Sequence, residues 1–216
     1  MKDPNIFESA HSGYQEIYTE VLKLTKGYSG RYLDLGAGQG KLTERLIEQG
    51  HRDVYACDKH PEYFRVNGLS CQHCDLNYEA LPFADNFFDV VTCTEVIEHI
   101  ENPRHLLREI HRVLKTKGRV IISTPNSLSL RGRLSFLFRG YSSYLKKLEC
   151  EEESAHITMI TRVDLLRIFR ELGFGLVRII YTHGAIPKLS ISWQTVFPFL
   201  KGELFSDTII LIAEKL

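Results

Sequence analysis

The sequence lacks charge of either sign in excess: 27 Lys and Arg residues balance 27 Asp and Glu, so no global basic field draws nucleic acid to it. It has no apolar run approaching the ~20 residues of a membrane span. Its start, MKDPNIFESAHSGYQEIY, lacks the basic-then-apolar pattern of a secretory leader. Five cysteines (57, 71, 74, 93 and 150) in such a chain read as reduced thiols, and the expected location is cytoplasmic. CQHC at 71–74 is half a zinc site without a second CxxC. On a strand its two cysteines would point to opposite faces, so it reads as structural. There is no internal repeat and no low-complexity tract, and 216 residues suit one domain, 1–216, with a well-buried core.

What is present is alternation. Short runs rich in Val, Ile and Tyr read as strands: RYLDLG (31–36), DVYACD (53–58), LSCQHCD (69–75), FFDVVTCT (87–94) and GRVIISTP (118–125). Between them lie helix-like segments: KLTERLIEQG stopping at Gly50, a short helix opened by Pro61, and RHLLREIHRVLK stopped by Lys-Thr-Lys-Gly. RVDLLRIFRELGF follows, with Thr161 as its cap. FGLVRIIYTHG and DTIILIAEKL close the chain and, lacking a crossover helix between them, read as an antiparallel hairpin. The expected fold is α/β, Rossmann-like and doubly wound: a mostly parallel seven-stranded sheet with helices on both faces. Insertions at 126–160 and 184–206 follow strands and are expected to form a lid on the acceptor side of the site.

Ligands of open α/β sheets bind outside the carboxyl ends of the strands. Those ends read Asp34-Leu35-Gly36-Ala37-Gly38-Gln39-Gly40, then Asp58, Asp75, Thr94-Glu95 and Pro125-Asn126. GxGxG lets the chain turn tightly and bring its backbone close to a ligand. The dinucleotide spacing GxGxxG would need glycine where Lys41 stands, and the Gly-Lys-Ser/Thr of a P-loop is absent. A nicotinamide-dependent oxidoreductase is the competing class, opposed by Lys41 and by the third acidic strand end at Asp75.

YLDLGAGQG, VYACD, the stretch CDLNYEALPFADNFFDVVTCTEVIEHI and LREIHRVLKTKGRVIISTPN together resemble the seven-stranded S-adenosylmethionine-dependent methyltransferases, closely over about 30–125. The resemblance implies S-adenosylmethionine as cofactor and S-adenosylhomocysteine as product. It implies Gly36, Ala37, Gly38 and Gly40 around the methionine part with Asp34 beneath, and Asp58 with its neighbour Lys59 at the ribose. Asp75 and Leu76 would meet the adenine, and Thr94 and Glu95 the amino group. An in-line methyl transfer depends on positioning, with a base to take the acceptor's proton.

EVIEH (95–99) sets two carboxylates and an imidazole within five residues; if helical, they would share a face. Glu95, Glu98 and His99 could wall the methionine end of the cleft. His99 or His156 could be a base, with Glu98 beside it. Glu95, Glu98, His99 and His156 could also hold a divalent cation. The site assignment takes His99, His156 and Glu98 as catalytic and assigns no metal. The ExxEH pattern is similar to that of ubiquinone-pathway O-methyltransferases and of small-RNA 3′-end 2′-O-methyltransferases; the second histidine of the latter is Ile100 here. The expected acceptor is a small or lipid-linked molecule methylated at oxygen, with RNA-end methylation as the alternative. Residues 127–148 carry Arg131, Arg133, Arg139, Lys146 and Lys147 with no acid, interleaved with Leu, Phe and Tyr. That is the pattern either of a helical lid or of a peripheral membrane contact. Trp193, Phe197 and Phe199 read as core, dimer contact or lining of an apolar acceptor pocket.

Overall fold

The computed structural model describes residues 11–145, 156–184 and 191–216. Lys146, Lys147 and Cys150 lie outside the described residues, as does most of the N-terminal stretch read for a leader. The chain runs α1 (His11–Thr25), β1 (Arg31–Leu35), α2 (Lys41–Glu48), β2 (Asp53–Asp58), β3 (Cys71–His73), β4 (Phe88–Thr94), α3 (Pro103–Val113) and β5 (Leu114–Pro125). It continues through α4 (Leu130–Arg139), α5 (Arg162–Leu172), β6 (Phe174–Tyr181), α6 (Trp193–Val196) and β7 (Thr208–Lys215). The strands form one seven-stranded sheet of order β3-β2-β1-β4-β5-β7-β6. β1 to β5 pair in parallel, and β7 runs antiparallel to both β5 and β6. The doubly wound fold and its closing hairpin are as expected.

Two apolar layers hold the sheet. Leu106, Leu107 and Ile110 of α3 with Leu165, Ile168 and Phe169 of α5 pack against Leu33, Leu35, Val91, Ile122 and Leu211 on one face. Ile17 and Val21 of α1 with Leu42 and Leu46 of α2 cover Tyr32, Val54, Val90 and Ile121 on the other. Each such side chain, fully buried, contributes about 1.5–3 kcal/mol. The helix ends follow local chemistry. Asn102 accepts from the His105 N–H, with Pro103 in the first turn of α3. Thr161 and Asp164 form a reciprocal capping box on α5, which ends on Gly173 at φ 83°.

Three local expectations change. The stop after α3 is already strand: Leu114 takes φ −73°, ψ 139°, is fully buried and pairs with Phe88. The helix expected at Pro61 is one 3-10 turn, Pro61–Tyr63. EVIEH is not an α-helical face either. Glu95 has φ 53°, and only Ile97–His99 form a 3-10 turn, so the three residues do not share an α-helical face.

Candidate active site

The strand order reverses between β1 and β4, each of which has its chain-order neighbour on the far side, and the crevice at such a point is where ligands bind. The glycine loop lies there. Gly36 and Ala37 N–H both donate to the Cys57 carbonyl, at 2.8 and 3.2 Å, tying the loop to β2. Gly36 (φ 67°) has no room for a Cβ, which would meet Val96 Cγ2 at 2.4 Å; this contact sets the exit of β4 against the loop. At Gly40 (φ 87°) a Cβ would meet Val66 and Phe64. Gly38 (φ 53°) differs: nothing lies within 4 Å of its Cβ position. Left-handed backbone facing open space is what a closely approaching ligand needs.

Acidic groups surround this opening. Asp58 Oδ2 accepts from Gly38 N–H at 2.8 Å and Oδ1 from His60 N–H at 2.8 Å. A carboxylate has about four lone-pair positions, so both oxygens keep capacity for hydroxyls. Asp75 accepts from Asn77 N–H (3.0 Å) and pairs with Lys59 Nζ at 3.3 Å. Partial burial pushes its carboxyl up, but the Asn77 N–H and Lys59 outweigh that and hold it below the ordinary value. Lys59 thus stands on Asp75, and Leu76 beside it is buried. Asp34 lies under the loop. Buried among Thr43 Oγ1 (2.7 Å) and Thr92 Oγ1 (3.1 Å), it supports the turn from within, and burial pushes its pKa up to about 6. Thr94 Oγ1 is buried without a hydrogen bond.

Beyond the β4 exit, β5 supplies two hydroxyls in succession. Ser123 Oγ accepts from Glu95 N–H (3.0 Å) and donates to Glu95 Oε1 (2.8 Å), stapling the residue in its left-handed conformation. Thr124 Oγ1 donates to Glu98 Oε2 at 3.3 Å. Burial raises Glu95 to about 7. Burial first, and then the neighbouring Glu95 charge, raise Glu98 well above the usual carboxylate range. Sequence reasoning passed over Ser123 and Thr124; the available signal was two hydroxyl residues ending an otherwise apolar buried strand.

His156 joins this cluster because Ile157 and Thr158 N–H both donate to the Glu98 carbonyl, at 3.0 and 2.9 Å. The Tyr144 carbonyl accepts from His156 Nδ1 at 2.9 Å. That bond puts the neutral ring's proton on Nδ1 and leaves Nε2 as the acceptor nitrogen, 3.9 Å from Glu98 Oε1. The His99 and His156 rings meet edge to face with centroids 4.8 Å apart. Glu98, His99 and His156 each present a ligand atom within 4.8 Å of the others, and the buried Glu98 Oε1 has no hydrogen bond. Among the described residues this is the one such group of three or more metal-capable side chains; the cysteines of CQHC do not form another. Glu98, Thr124, Tyr144, His156, Thr158 and Met159 line a small pocket beside it.

A family model described as "Methyltransferase domain" matches residues 8–179. The ubiquinone biosynthesis O-methyltransferase of Aeromonas salmonicida is 31% identical over 155 residues, covering 68% of this chain and 63% of that protein. The mitochondrial ubiquinone biosynthesis O-methyltransferase of Schizosaccharomyces pombe is 35% identical over 122 residues, covering 50% and 43%. The chain spans about half the length of the curated relatives it matches. In fold it is similar to a SAM-dependent methyltransferase from Archaeoglobus fulgidus (TM-score 0.70, 20% identity, 98% and 97% of the two chains). It is similar also to the magnesium protoporphyrin IX methyltransferase of Synechocystis, solved with bound S-adenosylhomocysteine (TM-score 0.63, 18% identity, 100% and 89%).

Proposed function

The chain belongs to the methyltransferase-domain family of S-adenosylmethionine-dependent enzymes, and from that membership we propose that it transfers a methyl group to the oxygen of a small or lipid-linked acceptor, working in the cytoplasm. The observation that carries the reading is the abutment of two half-sites. Gly36 touches Val96, so the glycine loop with Asp58 borders the turn that bears Glu95, Glu98 and His99. The residues fit the cofactor: Gly38 leaves its space open, Asp58 offers lone pairs to ribose hydroxyls, and Asp75 and Leu76 flank an adenine position. Thr94 and Glu95 would meet the amino group. When bound, the cofactor supplies an electrophilic methyl on a sulfonium centre.

The acceptor side belongs to His156, Glu98 and His99. An acceptor hydroxyl placed between His156 Nε2 and Glu98 Oε1 bridges their 3.9 Å gap with hydrogen bonds of about 2.8 Å. His156 Nε2, its tautomer held by the Tyr144 carbonyl, is placed to take the acceptor's hydroxyl proton. Glu98, whose carboxyl is pushed well above the usual range by burial and the neighbouring Glu95 charge, faces the acceptor with its Oε1 and helps hold it in place. The test is transfer of radiolabelled methyl from S-adenosylmethionine into cell extract. Wild type is expected to label an organic-soluble or small-molecule fraction, and His156→Ala to label it at least ~100-fold less, the scale of general-base catalysis. Label appearing in RNA, or full labelling by the variant, would overturn the reading.

The donor set favours a second reading of the same cluster. Glu98 Oε1, His99 and His156 form an oxygen–nitrogen set suited to Mg, Mn or Zn, and a cation there would polarise the acceptor oxygen. Calorimetric titration with Mn2+ is expected to show binding that Glu98→Gln removes, and no heat would leave the base alone. The RNA alternative is disfavoured by Ile100, which is buried and apolar where a second histidine would stand. Peripheral membrane contact through 127–148 and self-association through the aromatics near Phe199 are the partner side of this proposal.

A further inference from the structure

His156 is held from two directions. Its backbone neighbours bind the β4 exit: Ile157 and Thr158 N–H donate to the Glu98 carbonyl, and Thr158 Oγ1 donates to the Ile100 carbonyl at 2.6 Å. Its ring nitrogen Nδ1 donates to the Tyr144 carbonyl at 2.9 Å. A neutral imidazole carries a single ring proton, so holding it on Nδ1 leaves Nε2 to face Glu98 Oε1 at 3.9 Å. The place of the Tyr144 carbonyl therefore decides which nitrogen of His156 meets the pocket.

Tyr144 sits in a short turn after α4. α4 buries its small residues, Gly132 and Ser135. Ser135 Oγ donates to the Tyr141 carbonyl at 2.8 Å, and Ser142 Oγ accepts from Tyr144 N–H at 3.3 Å. These bonds stay within one insertion, but the Tyr144 side chain reaches out of it. Its hydroxyl donates to Asp207 Oδ1 at 3.3 Å and meets Ser129 Oγ at 3.2 Å. A phenol has one proton and an ionised carboxylate only accepts, so that proton goes to Asp207 and the Ser129 hydroxyl donates to Tyr144 Oη. Ser129 Oγ also accepts from Gly132 N–H as the cap of α4. The Arg131 guanidinium stands over the Tyr144 ring, 5.7 Å from its centroid, and 3.9 Å from Asp207 Oδ1.

Asp207 stands on the rigid part of the molecule. It immediately precedes β7, an inner strand of the sheet, and its carbonyl accepts from Asn126 N–H at 2.7 Å just past the end of β5. Thr208, next in sequence, pairs with Pro125 in the β5–β7 ladder. We propose that Asp207 is a positioning residue: through the Tyr144 hydroxyl it sets the Tyr144 carbonyl, and so fixes His156 with its proton on Nδ1 and its Nε2 toward the acceptor. The same segment carries a second anchor of the insertion. Glu203 accepts from Arg133 Nη2 at 3.1 Å and from Arg162 Nε at 2.9 Å, tying α4 to the start of α5 through partners other than Tyr144. The relay stands on its own geometry; its meaning for methyl transfer rests on the methyltransferase reading, where it serves Nε2 equally as base or as metal ligand.

The test is NMR of the imidazole nitrogens in the intact, isotope-labelled chain, at a pH where the ring is neutral, beside calorimetric titration of S-adenosylhomocysteine. The His156 signals are those missing from His156→Gln. Wild-type His156 is expected as the Nδ1–H tautomer, read from the unprotonated shift of Nε2. Asp207→Ala and Tyr144→Phe are each expected to lose that preference, moving His156 toward the mostly Nε2–H mixture of a free imidazole. The double variant should go no further than either single one. Asp207→Asn, whose side-chain oxygen still accepts from the phenol, is expected to keep the Nδ1–H form, and Glu203→Gln to leave it unchanged. In the extract-labelling assay Asp207→Ala should transfer methyl at least ~10-fold more slowly than wild type, the scale of a lost orienting partner, with unchanged S-adenosylhomocysteine affinity. Should Asp207→Ala fail to fold, Tyr144→Phe carries the same outcomes. A wild-type tautomer in Asp207→Ala and Tyr144→Phe, or an equal loss in Glu203→Gln, would overturn the proposal. Absence of S-adenosylhomocysteine binding by wild type would sink the functional reading and leave the tautomer result standing.

Discussion

Asp34 supports the glycine loop from within. Its carboxyl is buried beneath the glycine loop, held by Thr43 and Thr92, and pushed up by that burial from 3.8 to about 6. The folded state therefore holds the Asp34 proton more tightly than the unfolded chain does. Stability that is present below pH about 4 is lost as pH rises through about 6, by roughly 3 kcal/mol at 1.36 kcal/mol per unit. Asp34→Asn should flatten that part of the stability–pH curve in urea melts between pH 4 and 7; an unchanged slope would assign the loss to other groups. Asp58 is proposed to make the opposite kind of contribution, at the ligand itself. Asp58→Ala is expected to weaken S-adenosylhomocysteine binding by about 1–3 kcal/mol, the scale of a charged hydrogen bond, and unchanged affinity would remove Asp58 from the site. At this scale the carboxylates at strand ends were legible because an apolar strand has no use for them. Ser123 and Thr124 were not, since a hydroxyl fits a strand as readily as it clamps a carboxylate.

Among the elements, α5 was legible down to its cap because Thr161 and Asp164 stand three apart before an apolar period of 3.6. Thr161→Ala should cost about 1 kcal/mol, read as a lower urea midpoint at unchanged slope; a changed slope would mean a cooperative unit other than the one packed here. The onset of β5 at Leu114 was hidden by Lys115, Thr116, Lys117 and Gly118, which look like a helix stop and are instead a strand bent at Lys117 (φ 65°). The EVIEH turn misled for a related reason. Spacing alone suggests a helix, whereas the two bonds from Ser123 hold Glu95 in a conformation that interrupts one. α4 was visible only as a pattern. Its apolar period is helical, but which face is buried is set by Gly132 and Ser135 against the loop, a tertiary contact the spacing does not carry.

For the molecule as a whole, a mostly parallel sheet covered on both faces was readable from alternation, whereas the reversal of strand order between β1 and β4 appears only in the fold; together they position everything else. The glycine loop, Asp58 and Asp75 gather at one end of the sheet because parallel strands deliver all their carboxyl ends there. His156 was grouped with Glu98 and His99 from residue type alone, and the fold brings the three together. His156 reaches Glu98 through the backbone N–H groups of Ile157 and Thr158, which both donate to the Glu98 carbonyl, and only folding reveals that closure. The account stands on that gathered end being a site for S-adenosylmethionine and its product. Calorimetric titration of the intact chain with S-adenosylhomocysteine, run beside NADH, tests this most directly. The account predicts saturable one-to-one binding of S-adenosylhomocysteine and no heat with NADH; binding of NADH with none for S-adenosylhomocysteine would contradict it.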